Sequence, residues 1–252
     1  MEERVIKLRN DRVISLTKSE QKEKISYVMV GLKWGKIQVG GRMEKLTNTT
    51  IKVYDGNWFQ KLFHFGPYHL ENKEVMSSVG LGSPRYEAVD LDASICIYNS
   101  QKRPIDLLYY GHLQTGGGSL WHSSDDLTGS NDAESEKGDN ETMTIDFTKL
   151  PEDYCYMVVI LNSYRHHKFD KIPYAQMNIY ETDKGRSGAK SKLFAEYRLD
   201  NNPEFKGKEA LVLGAFYKKN GNWEFKACGE STTETSITSI RDGSAKRFIK
   251  NL

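Results

Sequence analysis

The sequence predicts an all-β protein, a β-sandwich of two mostly antiparallel sheets with a long insertion and acidic loops that could hold a metal. Three observations carry this expectation. Apolar and polar residues alternate over many short runs, and clusters of turn formers separate those runs. An Asn-Gly pair sits between two alternating runs in YKKNGNW, the strongest short-range signal for a hairpin. Helical periodicity is nearly absent before the tail.

The elements follow in order. Residues 1–22 are polar and mixed in charge, which suits a short strand and an arm. KISYVMVGLKW (24–34) puts Val28, Val30, Leu32 and Trp34 on one face of a strand. The stretch 35–87 reads as an insertion; its GNWFQKLFHFGPYHL is punctuated by Gly and Pro, and Trp58, Phe59, Phe63, Phe65 and Tyr68 suit either an ordered insertion or a contact surface. In VDLDASICIY (89–98), Leu91, Ala93, Ile95 and Ile97 face the core, and Asp90, Asp92 and Ser94 face the other way. Residues 103–110 form another strand, followed by the turn TGGGS. Residues 143–147 and YCYMVVIL (154–161) are strands, the second apolar on both faces. Strands at 173–180 and 193–199 flank DKGRSGAK, and those at 211–217 and 223–228 flank KKNGN. The tail 231–252 is Ser/Thr-rich and ends in a short helix. The whole is expected as one domain, 1–252.

Composition narrows the class. The chain has 252 residues, 38% of them hydrophobic, a formal charge of +2 and a mean hydropathy of −0.64; that is enough to bury a core. No apolar run approaches the roughly 20 residues that span a bilayer. The start, MEERVIKLRNDRV, lacks the apolar centre of a secretory signal. Cys96, Cys155 and Cys228 are odd in number and lie in apolar alternating stretches, so they read as buried thiols of a reducing compartment, and the cytoplasm is expected. Basic residues are scattered and do not interleave with aromatics, which gives no argument for nucleic acid.

Chemistry concentrates in carboxylates. HSSDDLTGSNDAESEKGDNE (122–141) is far more acidic than its surroundings, and Asp90 and Asp92, two apart on one strand, project from the same face. Like charges that close raise each other's pKa unless a cation sits between them. Two readings stand: a solvated acidic face, the usual fate of a charge run, or a cage for Ca²⁺, which takes six to eight oxygens in flexible geometry. Mg²⁺ fits less well because it demands an octahedron and keeps its waters. The run fails the EF-hand frame, Gly116–Gly118 lacks the Lys-Ser/Thr of a phosphate loop, and neither HExxH nor G-x-S-x-G occurs. No residue is singled out as catalytic.

VGLKW (30–34), DLDAS (90–94), HSSDDLTG (122–129) and GDNETMTIDF (138–147), with FAEYRLD (194–200) and ALVLGAFYKKNGNWEFKACGE (210–230), resemble the TerD family of tellurium-resistance and stress proteins in motif order over roughly residues 25–230. The resemblance implies a Ca²⁺-binding β-sandwich with a cytoplasmic stress-response role and no established reaction. By position it implies one or two Ca²⁺ ions held among Asp90, Asp92, Asp125, Asp126, Thr128, Asp139, Asn140 and Glu141. The chain departs from the family in three places. Gly35 stands where the family usually has an aspartate after the Trp. The loop between TG and GDNE is enlarged, leaving Asn131, Asp132 and Glu134 ambiguous. The insertion before Asp90 is long.

Two functions from different classes follow. One is a non-enzymatic calcium-binding module whose ordered loops recruit protein partners. The alternative is a metal-dependent hydrolase using the same carboxylates, for which His122 and Lys137 are the loop-adjacent base or clamp candidates.

Overall fold

The computed structural model describes residues 5–17, 24–39, 43–54, 68–79, 85–123, 125–130, 138–183, 191–199 and 202–252. Two compact units emerge, one of residues 1–37 with 88–252 and one of residues 38–87.

The larger unit is the expected β-sandwich. Its first sheet has seven strands in the order β1 (Ile6–Lys7), β15 (Ser191–Arg198), β14 (Ala175–Thr182), β3 (Tyr27–Trp34), β12 (Glu141–Asp146), β11 (Leu120–His122) and β10 (Gln114–Thr115). The second has six, in the order β2 (Val13–Ser15), β17 (Asn222–Thr232), β16 (Ala210–Lys219), β13 (Tyr156–Ser163), β8 (Leu91–Tyr98) and β9 (Pro104–Leu108). Neighbours run antiparallel except β1 and β15, which are parallel. Val28, Val30, Leu32 and Trp34 meet Leu91, Ala93, Ile95 and Ile97 in the main core, as the alternation demands.

The outer face of the second sheet departs from a simple polar-out pattern. All eight residues of β8 are buried. Cys96 and Tyr98 pack with Val158, Ile160 and Val212 in a second apolar cluster, closed by Ile240, Ala245, Phe248 and Ile249. The covering residues come from a terminal helical segment, Ile237–Ile240, a π-helical turn Arg241–Ala245, and Lys246–Lys250. Tyr98 fixes the segment by donating its hydroxyl to the Arg241 carbonyl at 2.6 Å. This second layer explains why YCYMVVIL is apolar on both faces. Of the thiols expected to be buried, only Cys96 is; Cys155 and Cys228 are half-buried, and all three are free.

The Asn-Gly turn closes the β16–β17 hairpin, with Lys219 opposite Asn222. Asn220 and Gly221 both take positive φ, 51° and 77°, the primed turn that matches strand twist.

The smaller unit is a hairpin of two 12-residue strands, β5 (Met43–Tyr54) and β6 (Tyr68–Val79), in register from Met43 opposite Val79 to Tyr54 opposite Tyr68. β4 (Ile37–Val39) and β7 (Arg85–Glu87) form a further two-stranded sheet. The aromatics Trp58, Phe59, Phe63 and Phe65 lie outside the described residues. None of the helices in the described residues is long and apolar enough to cross a membrane.

Candidate metal centre

Trp34 organises the loops at one end of the sandwich. Its side chain is fully buried, and its indole N–H donates to the Val89 carbonyl at 2.9 Å, which fixes the backbone one residue before Asp90. Its own N–H donates to Asn140 Oδ1 at 2.9 Å, and its carbonyl accepts from the Ser130 N–H at 3.0 Å. One residue at the end of β3 thus ties together the three loops that carry the acidic motifs. Gly129 makes room for it: its φ is +73°, and a Cβ there would stand 2.9 Å from the Trp34 ring.

Asp126 is the hub of the acidic loop. One carboxylate oxygen accepts from Thr128 N–H, Thr128 Oγ1 and Gly129 N–H at 2.9–3.1 Å, and the other accepts from Asn140 Nδ2 at 3.0 Å. Burial pushes its carboxyl up, but these hydrogen bonds outweigh that and hold it below the usual range. Glu141 clamps two segments: Oε2 accepts from Ala93 N–H at 2.9 Å and Oε1 from Asp126 N–H at 3.1 Å. Its burial raises its pKa, partly offset by His122 and by these amides. His122 is itself buried, with Nε2 3.2 Å from the Ala93 carbonyl and 3.5 Å from Glu141. Asp139 Oδ1 accepts from Asn178 Nδ2 at 2.6 Å. A side chain on Gly31 would collide with Asp139, its Cβ 1.9 Å from Oδ2, so the glycine in VGLKW is the space that carboxylate occupies.

Among the described residues, three side chains converge differently. Asp90, Asp92 and Asp125 each offer a carboxylate oxygen, and these oxygens lie within 4.8 Å of one another. Asp90 and Asp92 are buried and Asp125 is exposed, so the cluster opens to solvent on one side. Burial, then repulsion from Glu141, Asp90 and Asp125, pushes Asp92 up to about 7. Burial and the Asp125 charge raise Asp90 as well, with Arg165 opposing. Arg165 Nε stands 3.3 Å from Asp90 Oδ2. Asp90 Oδ1 is buried with no hydrogen-bond partner. A buried acceptor without a donor, beside two more carboxylates, is the chemistry that a hard cation satisfies.

Of the eight residues expected to hold a metal, three thus point oxygens at a common space. Asp126, Thr128, Asn140 and Glu141 are joined to one another or to nearby backbone, and Asp139 is bonded across to β14. Asn131, Asp132, Glu134 and Lys137 lie outside the described residues. Sequence reasoning passed over Trp34 as an organiser, Arg165 as the counter-ion, and Asn162, which stands opposite Asp92 in the β8–β13 ladder and donates to its Oδ2 at 3.1 Å. The last was legible in principle, because a polar residue ending an apolar strand requires a partner.

Gly35 has a structural reason as well. Its N–H donates to the Tyr174 carbonyl at 3.1 Å, and a Cβ would come within 2.5 Å of the Tyr174 ring and 2.8 Å of Pro173. A side chain at this position would require Tyr174 and Pro173 to shift. Gly35→Ala is therefore expected to cost about 1–3 kcal/mol of stability from overpacking, measured as a lower urea midpoint; an unchanged midpoint would show that Tyr174 moves aside freely.

A family model for the TerD domain matches residues 68–241. The chain is 27% identical to the stress response protein SCP2 of Bacillus subtilis over 241 residues, covering 93% of this chain and 96% of that protein. It is 26% identical to the tellurium resistance protein TerZ of Serratia marcescens over 164 residues, covering 65% and 77%. A crystal structure of a homologue of the telluride resistance protein TerD from Streptomyces coelicolor superposes with a TM-score of 0.51 at 15% identity, covering 85% of this chain and 95% of that one.

Proposed function

The chain belongs to the TerD family, and from that premise we propose that it is a calcium-binding stress-response module of the cytoplasm. It acts without catalysis, through acidic loops that Ca²⁺ orders and that protein partners then recognise. The observation that carries this reading is the convergence of Asp90, Asp92 and Asp125 with a buried, unpartnered Asp90 oxygen among them. Its relatives include tellurium-resistance and stress-response proteins.

The division of labour among the acids supports the same view. Asp126, Glu141 and Asn140 accept or donate hydrogen bonds that set the loop backbone, leaving Asp90, Asp92 and Asp125 to meet the ion. Such outer partners fix ligand geometry. The ion would supply positive charge to Asp92 and Asp125, which Arg165, paired with Asp90, leaves uncompensated. The hydrolase alternative draws no support from the site: His122, its candidate base, is buried against the Ala93 carbonyl and Glu141.

Isothermal titration with Ca²⁺ tests the reading. Saturable heat is expected for the native chain, with affinity falling at least about tenfold in Asp92→Asn and in Asp125→Asn, because an amide keeps the shape and loses the charge. Absence of heat in the native chain would sink it. The calcium-loaded protein is expected to turn over phosphoester, nucleotide and glycoside substrates no faster than the Asp90→Asn, Asp92→Asn, Asp125→Asn triple variant. Metal-dependent turnover lost in that variant would restore the hydrolase.

A further inference from the structure

The segment 164–168, which follows β13, carries a cation onto the acidic cluster: Arg165 Nε stands 3.3 Å from Asp90 Oδ2. The two ends of that ion pair differ in burial. The Arg165 side chain is 50% exposed, that of Asp90 only 3%. Arg165 can therefore leave for water at little desolvation cost, whereas Asp90 keeps a buried charge that another cation has to balance. The other oxygen of the same carboxylate, Asp90 Oδ1, already lacks a partner.

The backbone around Arg165 is tied down without help from its side chain. The Tyr164 N–H donates to the Asp90 carbonyl at 3.0 Å. The His166 N–H donates to the Ser163 carbonyl at 3.3 Å, and the His167 N–H to Ser163 Oγ at 2.9 Å. The side chains of His166 and Lys168 both engage Glu209. The guanidinium can thus move on a fixed backbone.

Counting oxygens shows why it would have to. Ca²⁺ takes six to eight of them and draws on carboxylates through one oxygen or both. Asp90, Asp92 and Asp125 hold six carboxylate oxygens between them, so the cluster has none to spare for a competing cation. A divalent ion at this carboxylate also repels the guanidinium beside it. We propose that Arg165 is a tethered competitor for the metal: it pairs with Asp90 when the cluster holds no ion, and Ca²⁺ binding expels its guanidinium into solvent. The inference rests on the calcium reading above and adds a threshold to it. Arg165 lowers the affinity that the three carboxylates would otherwise have, because the pair must break first. It also gives binding an outward sign, a guanidinium released at the surface beside the loaded cluster.

The native full chain, Arg165→Gln and Lys168→Gln are titrated with calcium chloride by calorimetry at one pH and one ionic strength. Arg165→Gln is expected to bind Ca²⁺ at least about threefold more tightly than the native chain, the order of what a half-exposed ion pair is worth. Lys168→Gln removes the same charge from the same segment, but that lysine pairs with Glu209, so it is expected to change the affinity less. The Arg165 Nε–H resonance, assigned by its loss in Arg165→Gln, gives a second readout on the native chain. It is expected to be shifted and protected from exchange in chelator, and to join the exposed arginines at saturating Ca²⁺. Equal or weaker binding by Arg165→Gln, a gain matched by Lys168→Gln, or a resonance unmoved by Ca²⁺ each overturns the proposal and leaves the calcium reading standing. Binding by Arg165→Gln with none in the native chain would be the same competition at its strongest. No binding by either chain overturns the calcium reading and the proposal with it.

Discussion

Trp34→Ala is expected to lower stability by about 3–5 kcal/mol, the usual cost of truncating a fully buried large aromatic. For a chain of this size about 2–4 °C of melting temperature accompanies each kcal/mol, so a fall of roughly 6–20 °C follows. The cavity is only part of the argument. The indole also holds the Val89 carbonyl, and the ring packs under Gly129, so truncation releases the backbone that positions Asp90 and the backbone that follows Asp126. Trp34→Phe separates the two effects. It keeps most of the apolar volume and loses the indole N–H, which leaves a buried carbonyl short of a donor at about 1–3 kcal/mol. The phenylalanine variant is expected to melt nearer the native chain than the alanine variant does, yet to bind Ca²⁺ more weakly than the native chain. Alanine and phenylalanine variants of equal stability would mean that the ring fills space without organising the loops.

How far such residues could be read beforehand differs by residue. The alternation of β3 and β8 was legible because each must present one apolar face to a shared core, and the structure places Val30, Leu32, Leu91 and Ile95 there. The same alternation assigned Asp90, Asp92 and Ser94 to a polar face but said nothing of Cys96 and Tyr98 further along it. Those lie under the helical tail, and the only trace of that layer was the double-sided apolar character of YCYMVVIL. β10 and β11, of two and three residues, are too short to show a period. The β5–β6 hairpin was unreadable because the apolar residues of MEKLTNTTIKVY and YHLENKEVMSSV fall at both odd and even positions without a sustained alternation, so no single apolar face announces a strand. In the acidic loop, composition marked the region without distinguishing neighbours. Asp125 and Asp126 are chemically identical and adjacent, yet one faces the cluster while the other is consumed by Thr128, Gly129 and Asn140. Only the path of the backbone separates them, and long-range contacts with Trp34 and Glu141 set that path.

The chelated protein is expected to lose stability as pH rises from about 4 to about 7, and Ca²⁺ is expected to remove that loss. The sign follows from Asp92. Its native pKa stands at about 7 against 3.8 for the free group, so between those values the folded chain holds a proton that the unfolded chain has released. Stability then falls with rising pH across that window. Asp90, Asp125 and Glu141 face the same carboxylate with like charge, and Arg165 offsets them only from the Asp90 side. Asp126, held low by its hydrogen bonds, acts in the opposite direction and below this window, losing its contribution as pH falls. A Ca²⁺ ion bound there would replace the proton as the partner of the cluster. Binding to the folded state alone adds RT ln(1 + [L]/Kd), about 2.7 kcal/mol at a hundredfold excess over Kd, or roughly 5–10 °C at 2–4 °C per kcal/mol. The increment is expected to be larger at pH 7.5 than at pH 5, because at the lower pH calcium must first displace the proton. Mg²⁺ is expected to reproduce little of it, since it demands a tight octahedron and dehydrates reluctantly. Asp92→Asn is expected to flatten both the pH slope in chelator and the calcium increment, since one carboxylate produces both. Melting curves that coincide in chelator and in millimolar Ca²⁺ at pH 7.5 would reduce the cluster to a solvated acidic face.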